Sequence, residues 1–121
     1  MSKSIASSLR KLCTSLIAFI ISLAFLSTPV LADSITDLDS GAKVFKANCA
    51  GCHAGGGNIV RRGKNLKLKT LHKRKVDTQD AIATLVTNGK GIMSAYGDKL
   101  TPEEIANVSA YVLERAEQNW K

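Results

Sequence analysis

The sequence predicts a small all-α domain. Three observations carry that prediction. Apolar residues recur at three- and four-residue spacing, and no stretch alternates as a half-buried strand would. Thr101-Pro102-Glu103-Glu104 joins a capping residue, a proline at the first helical position and a glutamate at the third, which is a strong helix start. Glycines at 55–57 and at Gly89 and Gly91 divide the periodic segments.

The chain has 121 residues, and its first 32 read differently from the rest. Lys3, Arg10 and Lys11 precede an uncharged, mostly apolar run from Leu12 to Leu26. Ser27-Thr28-Pro29 breaks the run, and Val30-Leu31-Ala32 leads to a plausible cut. This is the layout of a secretory signal peptide, so residues 1–32 are expected to be removed and 33–121 to form one domain. The alternative is a retained membrane anchor, for which the run is short and Pro29 ill placed. No stable membrane insertion is expected after cleavage. Cys13 falls in the leader as an apolar passenger.

The helices follow in order. Asp39 or Ser40 can cap the first, in which Ala42, Phe45, Cys49 and Cys52 share a stripe. Gly51 and the 55–57 glycines end it. Residues 65–75 can hold a short helix. Asp77 or Thr78 can cap a middle helix with Ile82, Leu85 and Val86 on one face, and Gly89 stops it. The last helix runs from Pro102 to about Gln118, with Ile105, Val108, Val112 and Ala116 as its buried stripe. Asn107-Val108-Ser109 is a formal glycosylation triplet, discounted because it lies in mid-helix.

Cys49-Ala50-Gly51-Cys52-His53 is the C-x-x-C-H signature of covalent haem attachment. Two thiols three positions apart can each form a thioether with a haem vinyl group. The next residue can then offer its imidazole to the iron. Cys49 and Cys52 are therefore expected to anchor one haem c, and His53 to be an axial ligand. A zinc site would need further ligands at suitable spacing, and only Cys13 and His72 remain. A redox-active pair expects a βαβ setting, which is lacking. A disulfide between Cys49 and Cys52 would close too short a loop to stabilise much. A domain this small buries a limited core, so the porphyrin should serve as its staple and the haem-free chain should fold poorly.

Haem iron in an electron carrier usually takes a second protein ligand. Once the leader is gone, Met93 is the only methionine, in the glycine-bearing loop Gly89-Lys90-Gly91-Ile92-Met93. His72 is the rival, though it sits among charges in Lys69-Thr70-Leu71-His72-Lys73-Arg74-Lys75.

These residues bring the chain close to a known family. From Ala42 to Lys121 it resembles cytochrome c6, the small soluble c-type cytochrome of oxygenic photosynthesis. Gly41 and Phe45, the haem motif followed by Gly55-Gly56 and Asn58, and the methionine loop with Tyr96 carry the resemblance. Ala110-Tyr111-Val112 and the terminal Trp120-Lys121 add to it. The resemblance implies a class I cytochrome c fold, with three to four helices wrapped around one haem. It implies a monomeric electron carrier in photosynthetic electron transport, not an enzyme. Electrons would pass from the cytochrome b6f complex to photosystem I or a terminal oxidase. The protein would work in the thylakoid lumen or periplasm. Asn58 and Leu85 are expected in the haem environment. Two departures stand out. Ser94 replaces the proline that commonly follows the ligand methionine, and Leu85 replaces a glutamine common in photosynthetic members. Both make the chain look more like a c6-like paralogue. A softened loop around Met93 keeps an alternative open, a small haem sensor or peroxidase-like enzyme with a labile methionine ligand.

Charge bears on partners. Of 17 Lys and Arg, three fall in the leader, so 14 face 10 Asp and Glu in the remaining domain. Arg61, Arg62, Lys64, Lys67, Lys69, Lys73, Arg74 and Lys75 crowd one stretch without an acid. The run reads either as a solvated face or as a docking surface for an acidic redox partner. Nucleic acid is not an expected partner of an exported haem domain.

Overall fold

The computed structural model describes residues 36–121; the leader lies outside the described residues. Five helices follow one another: α1 (Leu38–Asn48), α2 (Ala50–His53), α3 (Leu68–Arg74), α4 (Gln79–Asn88) and α5 (Pro102–Glu117). Single 3-10 turns occupy Ala54–Gly56 and Arg62–Lys64. Among the described residues there is no strand, only an isolated bridge between Lys90 and Met93. No described helix is long and apolar enough to cross a membrane.

The caps explain where the helices start. The first is capped by Asp37, not by Asp39 or Ser40 as the sequence suggested. Its carboxylate accepts from the Asp39 and Ser40 amides at 2.9 and 3.1 Å. The Asp37 amide in turn donates to the Asn107 side chain at 3.0 Å, so a contact with α5 selects the cap. Thr78 caps α4 by accepting from the Ala81 amide. At α5 both halves of the capping box are made, between Thr101 and Glu104.

α1 and α4 both pack on α5. The α1 crossing is close because Gly41 has no side chain: a Cβ there would lie 2.2 Å from the Asn107 carbonyl oxygen. Val108 and Ala116 of α5 are 1% and 0% exposed, and Ile105 and Val112 are buried with them. The expected stripe of α5 is therefore the centre of the core. Asn107-Val108-Ser109 is buried throughout, which removes it as a glycosylation site.

The expected stripe of the first helix needs correction. Gly41, Val44 and Phe45 are its buried residues, while Cys52 is exposed. The helix breaks at Cys49, where ψ is still helical but φ is −115°. The break rotates α2 off the α1 stripe, so one periodicity does not run through both. Gly51 lies inside α2 and does not end it. The chain turns instead at Gly55 and Gly56, both with positive φ.

The C-terminus closes back over this turn. The Trp120 ring lies over Gly56, where a Cβ would approach it to 2.4 Å. The Trp120 indole N–H donates to the Leu66 carbonyl at 3.0 Å. Its ring centroid is 5.2 Å from Phe45, and Tyr111 stands 5.5 Å from Phe45 on another side. This aromatic group fastens α1, α5 and the segment after α2 at one place.

Candidate functional site

Between these elements lies a cavity of about 390 Å³. That is within the range of roughly 300–1,000 Å³ that ligand and cofactor sites occupy. Phe45, Ile82, Val86, Val108 and Val112 give it an apolar wall. Cys49, His53, Asn58, Leu85 and Met93, all singled out from the sequence, line it as well. Cys52 does not line it and is exposed.

The thiols and the imidazole are placed by one turn of backbone. The Cys52 and His53 amides both donate to the Cys49 carbonyl, at 3.1 and 2.9 Å. Burial, with the Cys52 thiol adding to it, pushes the Cys49 thiol up to about 11, so in the ligand-free chain it is a neutral S–H. His53 Nδ1 lies 2.9 Å from the Gly57 carbonyl oxygen. A carbonyl can only accept, so Nδ1 carries the proton and Nε2 keeps its lone pair. A backbone contact of this kind is how an imidazole is oriented to bind a metal.

Met93 arrives by a different device. Gly89 leaves α4 with φ of 68°, where a Cβ would come within 2.5 Å of the Met93 carbonyl oxygen. Lys90 and Met93 exchange backbone hydrogen bonds of 3.1 and 3.2 Å. The Tyr96 and Gly97 amides then donate to the Val86 and Thr87 carbonyls of α4. Tyr96 also donates its hydroxyl to the Asn48 carbonyl at the end of α1. These bonds bring a half-buried thioether to the cavity.

Asn58 spends its polar atoms on the loop. Its carbonyl oxygen accepts from the Val60 and Arg61 amides at 3.1 and 2.7 Å, and its NH₂ donates to the Lys64 carbonyl at 3.1 Å. It therefore shapes the cavity rim. Leu85 is half-buried on the wall. His72, the rival ligand, stands outside the cavity lining; it is exposed on α3 and paired with Asp77. Among the described residues no three His, Cys, Asp or Glu side chains gather as a metal site.

The structure also assembles what the sequence reading did not. Arg61, Lys64 and Arg74 reach the cavity, joined by Lys90. Ile92 beside them is 66% exposed. Lys90 gave no sign of this in the sequence, because only the fold sets it near residues so far away in the chain.

The residues fit a covalently bound haem: the Cys49 thiol, an imidazole with a free Nε2, an apolar wall and a thioether line one cavity, and the exposed Cys52 thiol follows one helical turn after Cys49. Comparison with known proteins agrees. A family model described as cytochrome c oxidase, cbb3-type, subunit III matches residues 36–112. A cytochrome c6-like protein of Nostoc sp. (strain PCC 7120) is 47% identical over 106 residues, 88% of this chain and 93% of the relative. Cytochrome c6 of Aphanizomenon flos-aquae is 54% identical over 85 residues, 70% of this chain and 98% of the relative. The crystal structure of cytochrome c6C from Synechococcus sp. PCC 7002 superposes with a TM-score of 0.67 at 60% identity, covering 68% of this chain and all of that one.

Proposed function

The chain belongs to the cytochrome c6 family of class I c-type cytochromes, and from that premise we propose how its residues serve a soluble haem c electron carrier. Cys49 and Cys52 would hold the haem through thioethers, and His53 and Met93 would ligate its iron. The bound haem c supplies a one-electron ferric/ferrous couple. The protein binds it, orients it and keeps water from it. Cys49 and Cys52 fix it through one helical turn. The Gly57 carbonyl holds the His53 ring through Nδ1, so Nε2 would be the atom offered to the iron. Phe45, Val86 and Val108 line the cavity with apolar surface, and Met93 would offer its thioether to the iron from the same lining. As an electron carrier, the protein makes and breaks no substrate bond and is not an enzyme.

The observation that carries the ligand assignment is that His53, with Nε2 free, and Met93 line the same cavity while His72 does not. The cellular setting follows from the family and the leader. Residues 1–32 are removed on export, and residues 33–121 act as a monomer in the thylakoid lumen or periplasm. They carry electrons from the cytochrome b6f complex to photosystem I or a terminal oxidase, meeting an acidic surface of the partner.

The test is the near-infrared spectrum of the oxidised holoprotein with an equilibrium redox titration. A methionine-to-iron band, a positive midpoint and loss of the band in Met93→Ala support the assignment. No band in the native protein, with carbon monoxide shifting the ferrous Soret peak, would mean an open site and a sensor or enzyme reading.

A further inference from the structure

Only part of the basic run read from the sequence lines the cavity. Arg61, Lys64 and Arg74 line the cavity, and Lys90 joins them from the methionine loop. Arg62, Lys67, Lys69, Lys73 and Lys75 belong to the same run but lie outside that lining. The Lys64 ammonium is held below its usual range, by the Arg61 charge first, with burial, Arg74 and Lys90 adding. Arg61, Arg74 and Lys90 thus act on Lys64 from the segment after Asn58, the end of α3 and the methionine loop.

Nothing in the described structure balances them. The only ion pair among the described residues joins His72 to Asp77. No Asp or Glu occurs from residue 54 to residue 76. Haem carries two propionate carboxylates. Even with both turned towards these cations, about half of the positive charge stays unmatched. The arrangement also has a shape. The cations border a cavity mouth, where carboxylates that project from a partner can enter between them. A flat anionic surface would reach the outer lysines of the run more readily. Exposed Ile92 adds an apolar contact at the same mouth.

We propose that Arg61, Lys64, Arg74 and Lys90 form an anion-binding mouth that takes the projecting carboxylates of an acidic partner protein, and that the remainder of the basic run does not. The inference rests on the carrier reading and names the part of the surface where the partner docks. The weak, steered encounters of electron carriers need such a site close to the redox centre.

Two variants of equal net charge test it in the reduced holoprotein. One is Arg61→Gln/Arg74→Gln/Lys90→Gln. The other is Lys67→Gln/Lys69→Gln/Lys73→Gln. The probe is hexacyanochromate(III), a redox-inert paramagnetic trianion that broadens nearby amide signals. Broadening is expected around residues 61–64, 74 and 90–92. Affinity should fall about tenfold or more in the first variant and less than about twofold in the second. A polyglutamate peptide should perturb the same signals. Equal losses in both variants, or broadening centred on residues 67–73, would overturn the proposal. So would binding to phosphatidylglycerol vesicles that the first variant loses, with polyglutamate leaving the mouth unperturbed; the surface would then serve a membrane. The carrier reading fails separately, by the absence of a reversible one-electron couple, which this inert probe does not measure.

Discussion

The two segments that bring His53 and Met93 to the cavity are built in opposite ways. The histidine side is local. Cys49, Cys52 and His53 occupy one turn, and the segment after them is tied down by side chains: Asn58 to its own loop, Trp120 to the Leu66 carbonyl. The methionine side is a loop between α4 and α5 held mainly by backbone. Its shape depends on Gly89, on the Lys90–Met93 exchange and on two amides returning to α4. The difference teaches that the covalent end of such a site can be written into consecutive residues. Bringing Met93 to the same cavity instead requires a glycine and a surface to lean on.

The largest test of this contrast removes the covalent end. The Cys49→Ala/Cys52→Ala chain is left with a cavity of about 390 Å³. Its apolar wall then faces water instead of the porphyrin, a loss that a core this small is poorly able to offset. Circular dichroism should show most helix lost; native helix content would mean that the helices do not depend on the haem staple.

Next come the two glycines. Gly56→Ala forces a Cβ towards the Trp120 ring at φ of 73°, and Gly89→Ala forces one against the Met93 backbone at φ of 68°. Each should cost about 2–3 kcal/mol in denaturant unfolding. The contrast predicts different spectra. Gly89→Ala should weaken the methionine-to-iron band and Gly56→Ala should leave it. Equal effects on the band would erase the distinction between the two sides.

A smaller effect concerns Leu85, half-buried on the cavity wall. Leu85→Gln offers an amide to the haem environment. A hydrogen bond of about 1 kcal/mol favouring one oxidation state moves a one-electron midpoint by roughly 40 mV. The expected direction is upward, and an unchanged midpoint in redox titration would show that Leu85 does not set it. The smallest effect is at Lys75, which ends α3 in the left-handed region with φ of 56°. Lys75→Gly should raise stability by about 0.5–1 kcal/mol without changing the spectrum.

The haem motif, the α5 capping box and the α5 core stripe were legible in the sequence because each depends on residues within a few positions. The α3 helix and the solvent position of His72 followed from the same local reasoning. The cap of α1 was misplaced by two or three residues. Asp37, Asp39 and Ser40 are all competent, and Asn107, distant in the sequence, decides among them. The stripe through Cys52 failed because the helix breaks at Cys49, and no breaker residue stands there to announce it.

By itself, then, the sequence determined the helical class, the covalent haem motif with its histidine, and the methionine available to face it. Those are matters of spacing and local propensity, which consecutive residues carry. The tertiary structure decided which side chains share the cavity, which nitrogen of His53 is free, and which members of a long basic run meet Lys90 at its mouth. Those depend on how α1 and α4 cross α5 and where the loops between them return, and distances of that kind are set by packing, not by position along the chain.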